Sequence, residues 1–141
     1  MRKVNVLLVE DNEGDILLTQ EAFEESKVQA DLSVVRNGQE ALDFLFKRKD
    51  YEDAQRPDII LLDINIPIYN GHEVLQQIKT DEQLKTIPVI MLTTSNNQED
   101  VKKCYEQHCN TYIVKPLDME EFLEVILKID QFWLQLSVIP D

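Results

Sequence analysis

The chain has 141 residues, 43% of them hydrophobic, which fits one globular domain burying roughly 70% of its unfolded surface without a metal or disulfide. Its formal charge of -13, from 14 Lys and Arg against 27 Asp and Glu, argues against a direct reader of nucleic acid and against a peripheral anchor on anionic lipid. The same balance suits a partner with a basic face, or a cation site.

The chain opens with "MRKVNVLLVEDN". Its apolar stretch is too short for a secretory signal, and no later run approaches the ~20 residues of a membrane span. A cytoplasmic protein is expected. The first apolar run, Val4 to Val9, is followed by a helical stretch that begins near Gly14 and carries Ile16, Leu17, Ala22 and Phe23. The run "LSVV" (Leu32 to Val35) leads to the turn-like Asn37-Gly38 and a helix with Ala41, Leu42, Leu45 and Phe46. A charged loop, "KRKDYEDAQRPD", reads as solvent-facing. Then comes "DIILLD", Asp58 to Asp63, and after Asn70-Gly71 a helix with Val74, Leu75 and Ile78. The run "PVIMLT" (Pro88 to Thr93) precedes a helix after Ser95-Asn96-Asn97, and "TYIV" (Thr111 to Val114) precedes the last one. There Phe122, Val125, Ile126, Ile129, Phe132 and Trp133 follow helical spacing, so one stripe faces inward. Asp118 and Glu121 resemble a capping box with Asp in the Ser/Thr place.

Short Val/Ile/Leu runs fit strands covered on both faces. Five of them alternating with five helices predict a parallel sheet between helical layers, with ligands at the carboxyl ends of the strands. Those ends are polar. Glu10 and Asp11 follow the first strand, Asp63 ends the third, Thr93-Thr94-Ser95 end the fourth and Lys115-Pro116 follow the fifth. Arg36, after the second, has no assigned role. Any one of these residues alone fits a solvated loop or a helix cap. Together they bring three carboxylates, hydroxyls and an ammonium to one edge. Clustered carboxylates raise one another's pKa, and a cation relieves them. Mg2+ takes oxygen ligands and keeps several waters. A carboxylate nucleophile forms an aspartyl phosphate, and a metal with an ammonium offsets the phosphoryl charge. Asp63, ending the most apolar run, is the candidate nucleophile. Glu10 and Asp11 are candidate metal ligands, Thr93 the hydroxyl and Lys115 the ammonium.

"LLVEDN", "LLDINIP", Asn70-Gly71, "MLTTS" and "YIVKP" occur in this order between Val4 and about Phe132. This set resembles the receiver domain of two-component response regulators. "VEDNEGDILLTQEAF", the loop before "RPDIILLD" and the ending "DQFWL" are similar to the short stand-alone regulators of phytochrome-type sensor kinases. The resemblance implies a flavodoxin-like (βα)5 three-layer sandwich with sheet order 2-1-3-4-5. It implies one receiver domain over 1–141, its core about 4–132, with an apolar tail 133–141. Asp63 corresponds to the phosphoacceptor, charged by a sensor histidine kinase or a histidine phosphotransfer protein. Glu10, Asp11, Asp63 and the backbone carbonyl of Asn65 correspond to the Mg2+ ligands. Thr93 is then the switch hydroxyl and Lys115 the phosphate-pairing lysine, with a cis bond to Pro116. Tyr112 falls on the aromatic position whose ring swings inward on activation.

The face of the last two helices and the strand of Tyr112 is then the output surface, working through protein contact without a DNA-binding domain. The resemblance implies no independent enzyme, only a phosphoacceptor catalysing its own phosphotransfer and autodephosphorylation. A phosphatase of the aspartyl-phosphate type usually has a second Asp where Asn65 stands. An alternative is a receiver-like interaction domain that takes no phosphate. Thr94 departs from the small residue common beside the switch hydroxyl, and Ile68 and Tyr69 are bulky after Asp63. His72 and His108 read as packing or surface residues. Cys104 and Cys109 read as reduced structural thiols. Trp133, with Leu134 and Leu136, either folds back on the core or buries itself against a second copy in a homodimer.

Overall fold

The computed structural model of the protein describes residues 3–25, 29–136 and 138. The strands are β1 (Val4–Val9), β2 (Ala30–Val35), β3 (Ile59–Leu62), β4 (Val89–Thr93) and β5 (Thr111–Val114). Between and after them run α1 (Glu13–Glu24), α2 (Gly38–Leu45), α3 (Gly71–Thr80), α4 (Gln98–Glu106) and α5 (Met119–Ile129). All strand pairs are parallel, in the order β2-β1-β3-β4-β5. This is the expected flavodoxin-like architecture. The strand order reverses between β1 and β3, so the carboxyl ends of those two strands flank the crevice where such sheets place their ligands.

Strand periodicity divides the core in two. Leu7, Val9, Ile60, Leu62, Val89 and Met91 point to a cluster with Leu42, Leu45, Val74, Leu75 and Ile78 of α2 and α3. Val6, Leu8, Ile59, Leu61, Ile90 and Leu92 point the other way, against Ile16 and Phe23 of α1 and Phe122, Ile126 and Ile129 of α5. The four side chains of β3 are at most 1% exposed, and each contributes roughly 1.5–3 kcal/mol by leaving water. β2 and β5 are the sheet edges and are only half-buried.

Each α-helix starts on a side-chain cap. Asn12, Asn37, Asn70, Asn97 and Asp118 accept from N–H groups of the first turn, worth about 0.5–2 kcal/mol apiece. The Asn-Gly pairs expected as turns are therefore cap and first helical residue. The reciprocal capping box falls on Asn70 and Glu73. At Asp118, where it was expected, Oδ1 accepts from the N–H groups of Glu120 (2.7 Å) and Glu121 (3.3 Å), the second being the donor a capping box uses.

Two further expectations need correction. The Lys115–Pro116 bond is trans, since no cis peptide occurs among the described residues. In this conformation the Lys115 N–H donates to the Thr93 carbonyl at 2.7 Å and its side chain still reaches the carboxylates, so nothing calls for the isomer that costs about 0.5–1 kcal/mol. The inward stripe of α5 runs to Ile129 and on to Trp133, which folds back on the α1–α5 cluster, but omits Phe132. Asp130–Leu136 form a π-helix, whose i→i+5 bonding turns the following side chains out of register. Phe132 is consequently exposed and Trp133 half-buried. The charged loop before β3 is mostly exposed, as expected, and contains a 3-10 turn, Lys49–Tyr51, with the Tyr51 ring 5.4 Å from that of Phe44. Of the apolar tail, the side chains of Leu134 and Leu136 and residues 137 and 139–141 lie outside the described residues.

Candidate functional site at the carboxyl edge of the sheet

Glu10 leaves β1 directly beside Asp63, which leaves β3, because the two strands pair in register from Val6–Ile59 to Val9–Leu62. The Asp63 N–H donates to the Val9 carbonyl at 3.1 Å, which extends the ladder one step and fixes its Cα over the crevice. On the other side α3 begins against Asp63 itself. A Cβ on Gly71 would lie 2.6 Å from the Ile64 Cα and against the Asp63 carbonyl, so only glycine lets the helix start there.

Carboxylate oxygens of Glu10, Asp11 and Asp63 come within 4.8 Å of one another. Glu10 and Asp63 are 3% and 7% exposed, while Asp11 is open to solvent. Glu10 Oε2 accepts from the N–H groups of Asp11 (3.0 Å) and Asn12 (3.4 Å). Lys115, at the end of β5, sends its ammonium into the same space. Nζ donates to Glu10, to Asp15 Oδ2 at 2.9 Å and to Asp63 Oδ2 at 3.1 Å. Thr93 is fully buried at the end of β4, and its Oγ1 accepts from the Ser95 N–H at 3.5 Å. Thr94 is exposed. The Asn65 N–H donates to Asp63 Oδ1 at 3.3 Å.

The electrostatics separate the two buried acids. Burial pushes the Glu10 carboxyl up, the Asp63 charge pushes it further, and Lys115 only partly compensates, leaving it at about 7. Burial also pushes Asp63 up, but the Lys115 charge and hydrogen bonds from Thr93, Glu10 and Lys115 outweigh it, holding Asp63 below the usual carboxylate range. The Lys115 ammonium would be weakened by burial; the charges of Asp63, Glu10 and Asp15 more than reverse this. Negative charge thus exceeds what one ammonium neutralises, and every donor is a hard oxygen. That donor set fits a small divalent cation.

Tyr112 on β5 turns its ring half-inward against the α2–α3 cluster. Its hydroxyl donates to the Ser95 carbonyl at 2.8 Å. Burial raises its pKa above the usual phenol value. The expected residues Glu10, Asp11, Asp63, Asn65, Thr93 and Lys115 therefore meet at one edge, with Tyr112 one loop away. Arg36, at the same edge, pairs with Glu13. His108 and both thiols meet their expectations: His108 is exposed, and Cys104 and Cys109 are free and buried.

Two features lie outside the sequence reading. Asp15 is a third partner of Lys115; the signal available was its place in the first turn of the helix that Asn12 caps. His72 is not bland packing. It is 6% exposed, with Nε2 2.8 Å from Asp100 Oδ1.

A five-stranded parallel sheet with an acidic cluster, a buried hydroxyl and a lysine at its carboxyl edge defines a phosphoacceptor domain of two-component signalling. Residues 6–127 match the family model described as the response regulator receiver domain, and the chain belongs to that family. It is 41% identical over 135 residues, 96% of this chain and 92% of the relative, to "Response regulator Rcp1" of Synechocystis sp.. It is 40% identical over 131 residues, 92% of this chain and 83% of the relative, to the "Probable methanogenesis regulatory protein FilR2" of Methanothrix harundinacea. Among solved structures, the phosphorylated cyanobacterial phytochrome response regulator RcpA superposes with a TM-score of 0.97 at 41% identity, covering 99% of this chain and 100% of that one. The Mn(2+)-bound form of Rcp1 superposes with 0.96 at 40% identity, covering 98% and 99%. The expected kinship with phytochrome-associated stand-alone regulators is thereby established, and a histidine kinase partner is implied. No described helix is long and apolar enough to cross a membrane.

Proposed function

We propose that Asp63 accepts a phosphoryl group from the phosphohistidine of a partner sensor kinase or of a histidine phosphotransfer protein. An Asp63 oxygen attacks phosphorus, the P–N bond breaks, an O–P bond forms and the imidazole leaves. The carboxylate is suited to this because Lys115 and Thr93 keep it ionised despite its burial. Glu10, Asp11, Asp63 and the backbone carbonyl of Asn65 would hold Mg2+, which when bound offsets negative charge on the phosphoryl oxygens. Lys115 then pairs with the phosphoryl group, and Thr93 turns its hydroxyl to it. Tyr112 follows the loop after Thr93, to which its hydroxyl is tied.

The observation that carries this reading is the Lys115 Nζ, 3.1 Å from Asp63 amid three carboxylates drawn within 4.8 Å. The phosphorylated state of RcpA and the bound Mn2+ of Rcp1 support it by kinship. Residues 1–141 act as a single cytoplasmic receiver that catalyses only its own phosphotransfer and dephosphorylation. The net charge of -13 favours protein partners over nucleic acid or anionic membrane. The output face runs over α4, β5 and α5, where Val114, Leu117 and Met119 are exposed; a second copy is one partner of the right chemistry for it.

Intact mass after incubation with acetyl phosphate and Mg2+ tests the assignment. A phosphoryl adduct is expected, absent in Asp63→Asn and absent with a chelator. Labelling of Asp63→Asn as full as that of the wild type would reject the site. A folded wild-type chain that takes no label from acetyl phosphate or a kinase would turn the reading to an interaction domain that needs no phosphate.

A further inference from the structure

α3 and α4 are joined by a polar chain that the chemistry at Asp63 does not call on. Asp100, in the first turn of α4, takes the Ser95 hydroxyl on Oδ2 at 2.6 Å and His72 Nε2 on Oδ1 at 2.8 Å. The other ring nitrogen, Nδ1, lies 3.6 Å from Cys104 Sγ. Burial pushes that thiol up to about 12, the charges of Cys109 and Asp100 adding to the effect, so it stays an S–H beside the ring. Hydrogen bonds from Ser95 and then His72 hold the Asp100 carboxyl below its usual value. Every polar position in the chain has its partner, which is how a buried network becomes rigid.

Two members of this chain, His72 and Ser95, are one residue or one hydrogen bond away from neighbours of Asp63. His72 follows Gly71, whose N–H donates to the Ile64 carbonyl at 2.8 Å and which abuts the Asp63 backbone. Ser95 donates its N–H to Thr93 Oγ1 at 3.5 Å, and the Thr93 hydroxyl is among the groups that hold the Asp63 carboxyl down. The path from Asp63 through α3, His72, Asp100 and Ser95 to Thr93 closes on Asp63 again. The loop after β4 is thus clamped to the same helix that packs against the phosphoacceptor.

We propose that His72 and Asp100 are positioning residues of the phosphorylation switch, fixing Ser95 so that the Thr93 hydroxyl stays within reach of Asp63. The inference rests on Asp63 as phosphoacceptor and adds what holds its hydroxyl partner. Neither residue touches the metal ligands, so removing the clamp should slow phosphorylation and leave cation binding alone. The clamp should also feel the phosphoryl group from a distance, because Thr93 cannot move without moving Ser95.

The test uses the whole chain with Asp100→Asn and Ser95→Ala, which sit at half-buried positions and avoid emptying the His72 site; Ser95→Thr, which keeps the hydroxyl, is the rescue. Acetyl phosphate labelling rates and Mg2+ affinity by calorimetry are read in parallel. Expected is labelling about tenfold slower in Asp100→Asn and Ser95→Ala, near wild type in Ser95→Thr, with Mg2+ affinity within twofold throughout. On the wild type, beryllofluoride with Mg2+ should shift the His72 ring 15N resonances, as phosphorylation would. Equal labelling rates, or a His72 signal that ignores beryllofluoride, would overturn the inference alone. A wild-type chain that takes no label would overturn the phosphoacceptor assignment and the inference with it.

Discussion

β3 has a buried aspartate at each end, and the described contacts of the two differ. Asp58, 8% exposed, precedes the strand and takes the Asn5 N–H on Oδ2 at 2.8 Å, while its own N–H donates to the Asn5 carbonyl at 2.7 Å. Asp63, 7% exposed, follows the strand and faces the Lys115 ammonium in a cluster with Glu10 and Asp11. Burial is equal, so burial is not what makes an aspartate reactive. Asp58 accepts from a backbone amide whose place the β1–β3 pairing fixes. At Asp63 the compensating group is a side-chain cation shared with two other acids, and the local balance remains negative. On the proposed assignment, that imbalance is what suits Asp63 to a cation and then a phosphoryl group.

The comparison breaks if the two residues can be exchanged in effect. Asp58→Asn should label with acetyl phosphate like the wild type, whereas Asp63→Asn should not label at all. The pH dependence of stability comes next in size. Glu10 titrates near 7 in the folded chain against 4.5 when unfolded, so the native state binds the extra proton across that window. Its contribution is present below 4.5 and is lost as pH rises through about 7, up to about 3 kcal/mol at 1.36 kcal/mol per pH unit. In chelator, wild type should therefore lose stability relative to Glu10→Gln between these limits; parallel urea midpoints would refute the imbalance. The same proton must leave when a cation binds, so Mg2+ affinity should climb toward pH 7 and level off above it. Gly71→Ala forces a methyl against the Asp63 backbone and should cost roughly 1–3 kcal/mol, read by urea unfolding. Smallest is Asp58→Asn, which keeps an acceptor but loses its charge, costing roughly 1 kcal/mol. A gain in stability there would place Asp58 with the strained acids and erase the contrast.

The strand ends were legible because parallel pairing fixes them. A run of Ile and Leu closing on Asp63 already implied a carboxylate held at a sheet edge, and the same logic aligned Glu10, Thr93 and Lys115. Asp15 and the His72–Asp100 pair were not legible. Their partners lie 100 and 28 residues away, and no local spacing announces a contact made only when the crossovers close. The π-helix at Asp130–Leu136 escaped for a different reason. A change from i→i+4 to i→i+5 bonding leaves the apolar spacing of Phe132 looking helical while it moves that ring off the stripe. The tail beyond was read from composition, which does not say what it covers.

Alternate residues of the central strands serve different helical layers, and this bears on how such a chain can change through descent. Substitution at Ile60 or Leu62 is felt by α2 and α3, and substitution at Ile59 or Leu61 by α1 and α5. Each layer can accumulate compensating changes with its own strand positions and leave the other's inherited packing untouched. A lineage is thereby free to rework the side that carries His72, Cys104 and Tyr112 while the opposite side keeps an ancestral fit.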